Sequence, residues 1–268
     1  MDQAYVIKGG RSGRERLRVL SHVLQGGTLN FLDKLGLRPG MACMDVGCGG
    51  GDVTRELARR VGSSGRVVGL DMDLAQLEII RSEAVAQNIT NIDYRAADVS
   101  NPPSDLGTFD VVYTRFLLCH LKKPGNVLSW MVKCLKPNGV LAVEDSDSTG
   151  HFCYPPVPAF DRFVELLGEV MRRRGGDADF GLKLPEMFAD AGLCIGGVTV
   201  AQPSDVDGDV KLLNALTMEN IAAAVLSENL ATSDEVDQLM ATLNACTRDG
   251  RTFASVTRII QVWGRQLA

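Results

Sequence analysis

The chain has 268 residues, of which 45% are hydrophobic and 23% charged, enough for one large core or one core with a small appendage. A formal net charge of −5 gives no overall attraction for a nucleic-acid backbone or an anionic membrane surface, so we expect a small-molecule partner, no nucleic acid and no membrane. The seven cysteines include no Cys-x-x-Cys pair, and neither a signal peptide nor a membrane-spanning run is present, which predicts a reduced, cytoplasmic protein. The sequence leaves a homo-oligomer open.

Apolar residues at near-helical spacing predict two short helices before the first strand, at about 14–24 and 29–35, separated by Gly26-Gly27. We expect residues 1–36 to form a helical arm or lid. This segment is locally basic, which is typical of a solvated face and, less often, of an anion-binding one. Its basic residues are Lys8, Arg11, Arg14, Arg16 and Arg18.

After the turn at Pro39-Gly40, short apolar runs alternate with amphipathic stretches as far as Glu144. Strands that alternate with helices imply parallel pairing through right-handed crossovers, and hence a sheet covered on both faces. We therefore predict a doubly wound α/β domain over residues 37–268. The predicted strands are 41–46, 66–70, 92–97, 109–113 and 140–144, and the predicted helices begin near 52, 74 and 124.

The pattern changes after Asp145. Four helices are predicted, at about 159–173, 184–191, 210–226 and 236–246, with late strands at 198–201 and 257–263. The last helix follows a capping box, Thr232-x-x-Glu235. We expect a mostly parallel seven-stranded sheet, with helical insertions at about 148–195 and 203–250 forming a roof over the substrate.

The chemistry is most visible in the run Asp45-Val46-Gly47-Cys48-Gly49-Gly50-Gly51. A strand that enters such a run can turn tightly, expose bare backbone, and direct amides and a helix N-terminus toward a ligand. The dinucleotide pattern Gly-x-Gly-x-x-Gly fails because Asp52 occupies its last position, and Asp45 before the loop disfavours a pyrophosphate. The sequence predicts a nucleotide-like cofactor and disfavours one that carries a pyrophosphate.

This run resembles the first motif of the class I, Rossmann-like S-adenosylmethionine-dependent methyltransferases, whose cofactor carries an ammonium and a sulfonium. Asp71 ends the second strand, where a carboxylate can accept hydrogen bonds from two ribose hydroxyls, the role it has in the family. The resemblance further implies that Asp98 accepts from the adenine amine, that the Val99 amide contacts adenine and that Met72 packs on the adenine face.

Matches to the family run in order from residue 41 to 144 and include the fourth-strand segment 109–115 and a predicted turn at 135–139 before the fifth strand. Within the family, the chain is similar to the small-molecule methyltransferases related to ubiquinone and menaquinone biosynthesis C-methyltransferases. Those relatives close an N-terminal arm over the cofactor, which implies contacts from Tyr5 and Arg16 to its methionine end. The candidate cofactor-binding residues are Tyr5, Arg16, Asp45, Gly47, Cys48, Gly49, Asp71, Met72, Asp98, Val99 and Arg115.

Methyl transfer from a sulfonium is an in-line displacement, which needs a general base only when the nucleophile carries a proton. His151 follows the fifth strand and has Tyr154 nearby, so both are candidate catalytic residues; the alternative is a loop histidine that only bonds to structure. His120 is a further candidate, for which a structural role is the stronger interpretation. Arg115 either pairs with a carboxylate of cofactor or substrate or forms a salt bridge within the fold.

Asp145 and Asp147 follow Glu144 and invite a magnesium interpretation, but without another oxygen ligand we predict no metal and expect hydrogen bonds to a substrate. Aromatic residues after the fifth strand either line an apolar pocket or pack the inserted helix. They are Phe152, Tyr154, Phe160 and Phe163.

The acidic balance and the added apolar helices favour an enzyme that methylates an O, N or C atom of a small metabolite. An RNA or protein methyltransferase is the first alternative, and it predicts a basic groove built from residues 8–18 and Arg172-Arg173-Arg174. A cofactor-binding subunit without catalysis is the second. It predicts binding of the cofactor without methyl transfer.

Overall fold

The computed structural model describes residues 10–266, with side chains from residue 13 onward. Eight α-helices occur in this part of the chain: α1 Gly10–Leu32, α2 Asp52–Val61, α3 Leu74–Ala86, α4 Pro124–Lys133, α5 Pro158–Arg173, α6 Leu184–Asp190, α7 Asp209–Ser227 and α8 Ser233–Cys246. The strands are β1 Ala42–Val46, β2 Arg66–Asp71, β3 Ile92–Ala96, β4 Phe109–Arg115, β5 Leu135–Asp147, β6 Cys153–Tyr154, β7 Leu193–Ala201, β8 Ser204–Asp205, β9 Phe253–Ser255 and β10 Arg258–Gln266.

Seven strands form one sheet in the order β3-β2-β1-β4-β5-β10-β7, in which only β10 runs antiparallel to its neighbours. All five residues of β1 are buried, because helices cover both faces of a parallel sheet. The carboxyl ends of β1, β2, β3, β4 and β5 share one edge, the edge at which ligands bind in open α/β folds. The predicted mostly parallel seven-stranded sheet is confirmed.

The prediction of two short N-terminal helices is wrong, because α1 is one helix of 23 residues that includes Gly26 and Gly27. A Cβ atom added at Gly27 would lie 2.9 Å from the Cβ atom of Ala201 in β7. The glycine therefore allows α1 to pack closely on the sheet edge instead of ending the helix. The boundary of the arm at residue 36 stays a prediction.

Strand β5 is longer than predicted. It has 13 residues and includes segment 135–139, which the sequence suggested as a turn. Leu135 pairs with Phe109, the register then shifts before Val111, and Asn138 has a φ of 63°. An irregular pairing with a left-handed residue thus takes the place of a separate turn.

The inserted segments pack over the edge formed by the carboxyl ends. α7 contacts α1, α5 and α8, and it is apolar on more than one side, as expected of a helix enclosed by neighbours. Thr232 caps α8 by accepting a hydrogen bond from the Glu235 amide at 3.2 Å, which confirms the capping box. The strands β6, β9 and β8 form a second, three-stranded sheet. No helix between residues 10 and 266 is long and apolar enough to cross a membrane.

Candidate active site

A cavity of about 670 Å³ lies between the carboxyl edge of the sheet and helices α1, α5 and α7. Its volume is within the range of about 300–1,000 Å³ that is usual for small-molecule sites. We call the part lined by residues 45–53, 71–76 and 97–102 the sheet end, and the part lined by residues 146–178, 213–217 and 256–257 the helical end. Arg16 and Leu17 of α1 and residues 113–127 connect the two.

The glycine loop forms the floor of the sheet end. Gly47 has a φ of +72°, and an added Cβ atom would lie 3.1 Å from the Leu117 side chain, so only glycine fits there without strain. The amides of Gly47 and Cys48 both donate to the Leu70 carbonyl at 2.8 Å, and the Gly49 amide donates to Asp71 Oδ2 at 2.8 Å. The expectation that these loop amides point at a ligand is therefore wrong.

Asp71 is oriented by two backbone amides. Its carboxylate accepts from Gly49 at 2.8 Å and from Asp73 at 3.0 Å, and burial raises its pKa despite these bonds. Asp98 follows β3, where it is exposed and accepts from the Ser100 amide at 2.8 Å. Asp71 and Asp98 both line the cavity, as do Met72 and Val99. The structure thus brings the four predicted adenosine-binding residues together.

Asp45 is the most buried carboxyl group of the sheet end, with 2% of its surface exposed. It accepts a hydrogen bond from Thr54 Oγ1 at 2.6 Å. Burial raises the pKa of Asp45 to about 7, and the charges of Asp52 and Asp71 act in the same direction. A cationic ligand group beside Asp45 would offset this repulsion.

Asp52 and Arg115 form a two-point ion pair, with Arg115 Nη2 2.9 and 3.1 Å from the two carboxylate oxygens. Burial opposes the charge of Arg115, but the nearby anions, Asp52 foremost, outweigh it and raise the pKa. Arg115 also donates to Thr28 Oγ1 at 3.1 Å. Asp52, which directly follows the glycine run, therefore orients Arg115. A contact between Arg115 and a carboxylate of the cofactor stays a prediction.

Arg16 extends from α1 across the cavity wall and donates through Nε to Thr217 Oγ1 of α7 at 3.1 Å. The arginine is 9% exposed, so it can offer a positive charge inside the cavity. Burial lowers the pKa of His120 to about 4, with a smaller contribution from the charge of Arg16. His120 is therefore neutral at pH 7. The other predicted arm residue, Tyr5, lies outside the described residues.

His151 lies at the helical end with its ring orientation fixed. Its Nδ1 atom is 3.1 Å from the Ser148 carbonyl oxygen, and because a carbonyl only accepts, Nδ1 carries the proton and Nε2 keeps its lone pair. Phe160 and Phe163 pack edge-on against the ring, with centroids 6.1 and 6.4 Å away. Burial lowers the pKa of His151 to about 4. The imidazole is therefore a neutral proton acceptor at pH 7.

Ser255 of β9 connects the His151 segment to α7, which the sequence did not indicate. Its amide donates to the Phe152 carbonyl at 3.0 Å, and its Oγ accepts from the Phe152 amide at 3.0 Å. Its carbonyl accepts from Asn214 Nδ2 at 3.0 Å. Gln202 donates to Ser255 Oγ at 3.2 Å and also to the Gly150 carbonyl. The residues on both sides of His151 are therefore held by the small sheet.

Tyr154 does not lie in the cavity, so its assignment as a catalytic residue is wrong. It is 70% exposed on β6, in which adjacent residues point to opposite faces. Of the four aromatic residues, only Phe163 lines the cavity. Phe160 is buried behind it, and Phe152 packs on Phe253 with centroids 5.1 Å apart.

Asp145 and Asp147 also differ from expectation, because both are buried in the fold and neither lines the cavity. Asp145 accepts from the Cys119 amide at 3.1 Å, and Asp147 accepts from Arg258 Nε at 2.6 Å. The expected hydrogen bonds to a substrate are therefore not available to them. Within residues 10–266, no group of three or more His, Cys, Asp or Glu side chains is arranged to hold a metal ion.

Several polar lining residues were missed by sequence reasoning, among them Gln76, Asn214 and Thr217. Gln76 shares the buried face of α3 with Ile80, and such a polar residue at apolar spacing is a signal that could have been noticed. Asn214 and Thr217 lie on α7, whose pattern is apolar on several sides and gives no such contrast. Their position at the cavity follows only from the packing of α7 on α1.

Residues 43–139 match the methyltransferase domain family. The chain is 30% identical over 169 residues to a demethylmenaquinone methyltransferase of Lactococcus lactis, covering 60% of this chain and 64% of the relative. It is 38% identical over 117 residues to a ubiquinone/menaquinone biosynthesis C-methyltransferase of Idiomarina loihiensis, covering 43% and 47%. The chain spans about half to two thirds of the length of the curated relatives that it matches.

The crystal structure of a SAM-dependent methyltransferase from Aquifex aeolicus is similar, with a TM-score of 0.59 and 16% identity over 97% of this chain and all of that chain. Likeness at this identity concerns the fold. Residues 43–139 therefore form a methyltransferase domain, and in its ordered motifs and its relatives the chain is similar to the class I S-adenosylmethionine-dependent methyltransferases.

Proposed function

We propose that the protein transfers a methyl group from S-adenosylmethionine to an O, N or C atom of a small organic metabolite. One observation carries this proposal: a single cavity joins a sheet end that suits the cofactor to a helical end with apolar walls and one fixed imidazole. The volume of about 670 Å³ leaves room for a second small molecule beside a nucleoside cofactor.

The residues at the sheet end fit this cofactor in charge and shape. All five acidic residues among the described cavity-lining residues belong to this end, and they give a negative field where a sulfonium and an ammonium would lie. They are Asp45, Asp52, Asp71, Asp73 and Asp98. Asp71 would hold the ribose, Asp98 the adenine amine, and Arg16 the cofactor carboxylate. The bound cofactor supplies an electrophilic methyl group on a positively charged sulfur.

At the other end, His151 would accept a proton at Nε2 whenever the attacking atom carries one. The Ser148 carbonyl holds the ring in the required tautomer, and Phe160 and Phe163 pack edge-on against the ring. Phe163, Leu167 and Met171 give this end of the cavity apolar walls. His120 lies in the connecting wall, and its catalytic assignment remains a weaker proposal than that of His151. The cavity walls would supply the remaining rate enhancement by aligning the acceptor atom with the methyl group.

The helical end also constrains the charge of the acceptor. Among its described lining residues there is no aspartate or glutamate. A protonated amine would lose its hydration there without gaining a counter-charge, which is costly. We therefore propose an acceptor that is uncharged or anionic at the reacting end.

Of the two basic segments that an RNA or protein methyltransferase would need, Arg172-Arg173-Arg174 is paired with carboxylates. Arg173 Nε is 3.0 Å from Glu169 and Arg174 Nε is 3.2 Å from Glu228, while Arg172 also pairs with Glu169. Ion pairs reduce the positive field available to a polyanion. This supports a small acceptor over a macromolecular one.

Two measurements test the proposal. Calorimetry should show saturable binding of S-adenosylmethionine, and its absence would refute the proposal. The protein is then incubated with methyl-labelled S-adenosylmethionine and a metabolite extract of the source organism, and labelled products are identified by mass. Binding without any labelled product would instead support the non-catalytic subunit.

A further inference from the structure

The seven-stranded sheet has two edge strands, β3 and β7, and each has a neighbour on one side only among the described strands. The free side of an edge strand carries backbone amides and carbonyls without strand partners, so another strand can pair with them. Proteins commonly prevent such pairing with short edge strands and with charged side chains. The two edges of this sheet differ in both respects.

The β3 edge is protected. This strand has five residues, and two of them, Asp93 and Arg95, are charged and form an ion pair at 2.7 Å. Its Tyr94 carbonyl also accepts a hydrogen bond from Arg81 Nη2 of α3 at 2.9 Å. A strand added here would have to displace these charged groups, so we expect no pairing at β3.

The β7 edge lacks this protection. The strand has nine residues, Leu193–Ala201, and none of them is charged or a proline. Three large apolar side chains on it are exposed to solvent, Ile195 by 37%, Val198 by 46% and Val200 by 57%. A long, apolar and uncharged edge strand is unfavourable in a monomer, since it is open to pairing with other chains.

The register with β10 places the two valines on one face of the sheet. Val198 lies opposite Val262 and Val200 opposite Ile260, at alternate positions of a regular pairing. The irregularity between β7 and β10 comes before Gly197 on β7. Residues 197–201 therefore form a regular strand segment whose outer side has no neighbour among the described strands.

A second copy of the same strand fits this edge. In antiparallel pairing centred on Thr199, Val198 of each copy lies directly opposite Val200 of the other copy, and both pairs share one face. Apolar cross-strand pairs stabilise such pairing, and because β7 is uncharged, no like charges meet. The two-fold arrangement also closes, since the outer edges that remain are the two protected β3 strands.

We propose that the protein is a homodimer in which residues 197–201 of β7 pair antiparallel with the same residues of a second copy. The two sheets then form one continuous sheet. None of residues 197–201 lines the cavity, so this inference does not rest on the proposed methyl transfer.

The first experiment follows the native protein by sedimentation velocity between about 0.1 and 100 µM. A dimer should form, and amide hydrogen exchange of residues 197–201 should slow as the fraction of dimer rises. A monomer at all these concentrations would overturn the proposal. A dimer in which the exchange of these amides is not slowed would overturn it as well.

Charge variants test the register. In the double variant Val198→Lys/Val200→Lys, like charges meet across both pairs, and the dissociation constant of the dimer should rise at least about 100-fold. Val198→Lys/Val200→Glu instead places opposite charges across both pairs, and its dissociation constant should return to within about tenfold of the native value. Both valines are exposed, so circular dichroism should show an unchanged fold. No rise in the first variant, or no recovery in the second, would overturn the pairing around Thr199.

Val85→Lys is the matched control. Val85 of α3 is 70% exposed, more than either valine of β7, and lies outside the proposed interface. The dissociation constant of this variant should equal that of the native dimer. An effect as large as that of Val198→Lys/Val200→Lys would show that added charge weakens association wherever it is placed, and would overturn the assignment to β7.

Discussion

The two ends of the cavity are built in different ways. The sheet end is formed by loops that directly follow β1, β2 and β3, and all five lining aspartates belong to it. The helical end is assembled from α5, α7 and the segment around His151, and its described lining includes no carboxylate. The first end is set by the sheet, which defines the fold, whereas the second depends on inserted elements. A family can therefore keep its methyl donor while the acceptor changes.

The largest expected effect separates catalysis from cofactor binding. His151→Ala should lower turnover by about 10²–10³-fold, because it removes the proton acceptor of the helical end. The affinity for S-adenosylhomocysteine should stay within about twofold, since His151 lies outside the sheet end. Turnover is followed with the labelled product from the metabolite extract. His22→Ala serves as the control, because His22 is a surface residue of α1 with 73% of its side chain exposed.

The pH dependence of turnover is a second test of His151 as a buried, neutral proton acceptor. Its pKa of about 4 in the folded protein means that the imidazole stays neutral above pH 5. At saturating S-adenosylmethionine, turnover should therefore have no acidic limb near pH 6.5 that depends on His151, and its His151-dependent fall should come only as the pH approaches 4. A limb centred near 6.5 that disappears in His151→Ala would contradict the buried, neutral imidazole.

Asp71→Ala tests the sheet end. Loss of the carboxylate should weaken binding of S-adenosylhomocysteine by about 100-fold, since bonds to a charged group are worth about 1.5–3 kcal/mol each. Asp93→Ala is a suitable control, because Asp93 of β3 is exposed and pairs with Arg95 at 2.7 Å. Calorimetry on both variants measures the effect. Unchanged binding in Asp71→Ala would remove the ribose assignment.

The sequence predicted for a physical reason that the residues of the sheet end lie close together, and the structure places them at one cavity. A glycine loop, an aspartate at the end of β2 and another after β3 are local features, and parallel pairing necessarily brings those strand ends together. The predicted direction of the loop amides is wrong, because the amides of Gly47 and Cys48 donate to the Leu70 carbonyl oxygen and do not face the cavity as free donors. That bond depends on the register between β1 and β2, which the sequence does not show.

The helical end was predicted less well because its contacts are long-range. Ser255 bonds to Phe152, 103 positions earlier, and to Asn214, 41 positions earlier. Proximity in sequence was misleading for Tyr154, since β6 directs it to the solvent although it is only three residues from His151. His151 was placed correctly from its position after β5, and of the four aromatic residues suggested for a pocket Phe163 lines the cavity.

A smaller effect concerns the charge of the sheet end. The pKa of Asp45 is about 7 without a ligand, and a cationic group nearby favours the ionised form. Binding of S-adenosylhomocysteine should therefore release a fraction of a proton near pH 7, and affinity should rise about tenfold from pH 6 to pH 8. Calorimetry in buffers of different ionisation enthalpy measures the release. In Asp45→Asn both the release and the pH dependence should vanish; if they persist, another group titrates.

The smallest effect tests how α1 is held over the cavity. Gly27→Ala places a methyl group 2.9 Å from Ala201 of β7, so the overlap should lower the free energy of unfolding by about 1–2 kcal/mol. Gly26→Ala is the matched control, because an added Cβ there has nothing within 4 Å. It should raise the free energy of unfolding by about 0.5–1 kcal/mol, since alanine favours the helix. Urea denaturation of both variants measures the difference. Equal gains in both would mean that α1 does not pack closely on the sheet edge, and the helix that connects the two ends of the cavity would then be held by its contacts with α7 instead.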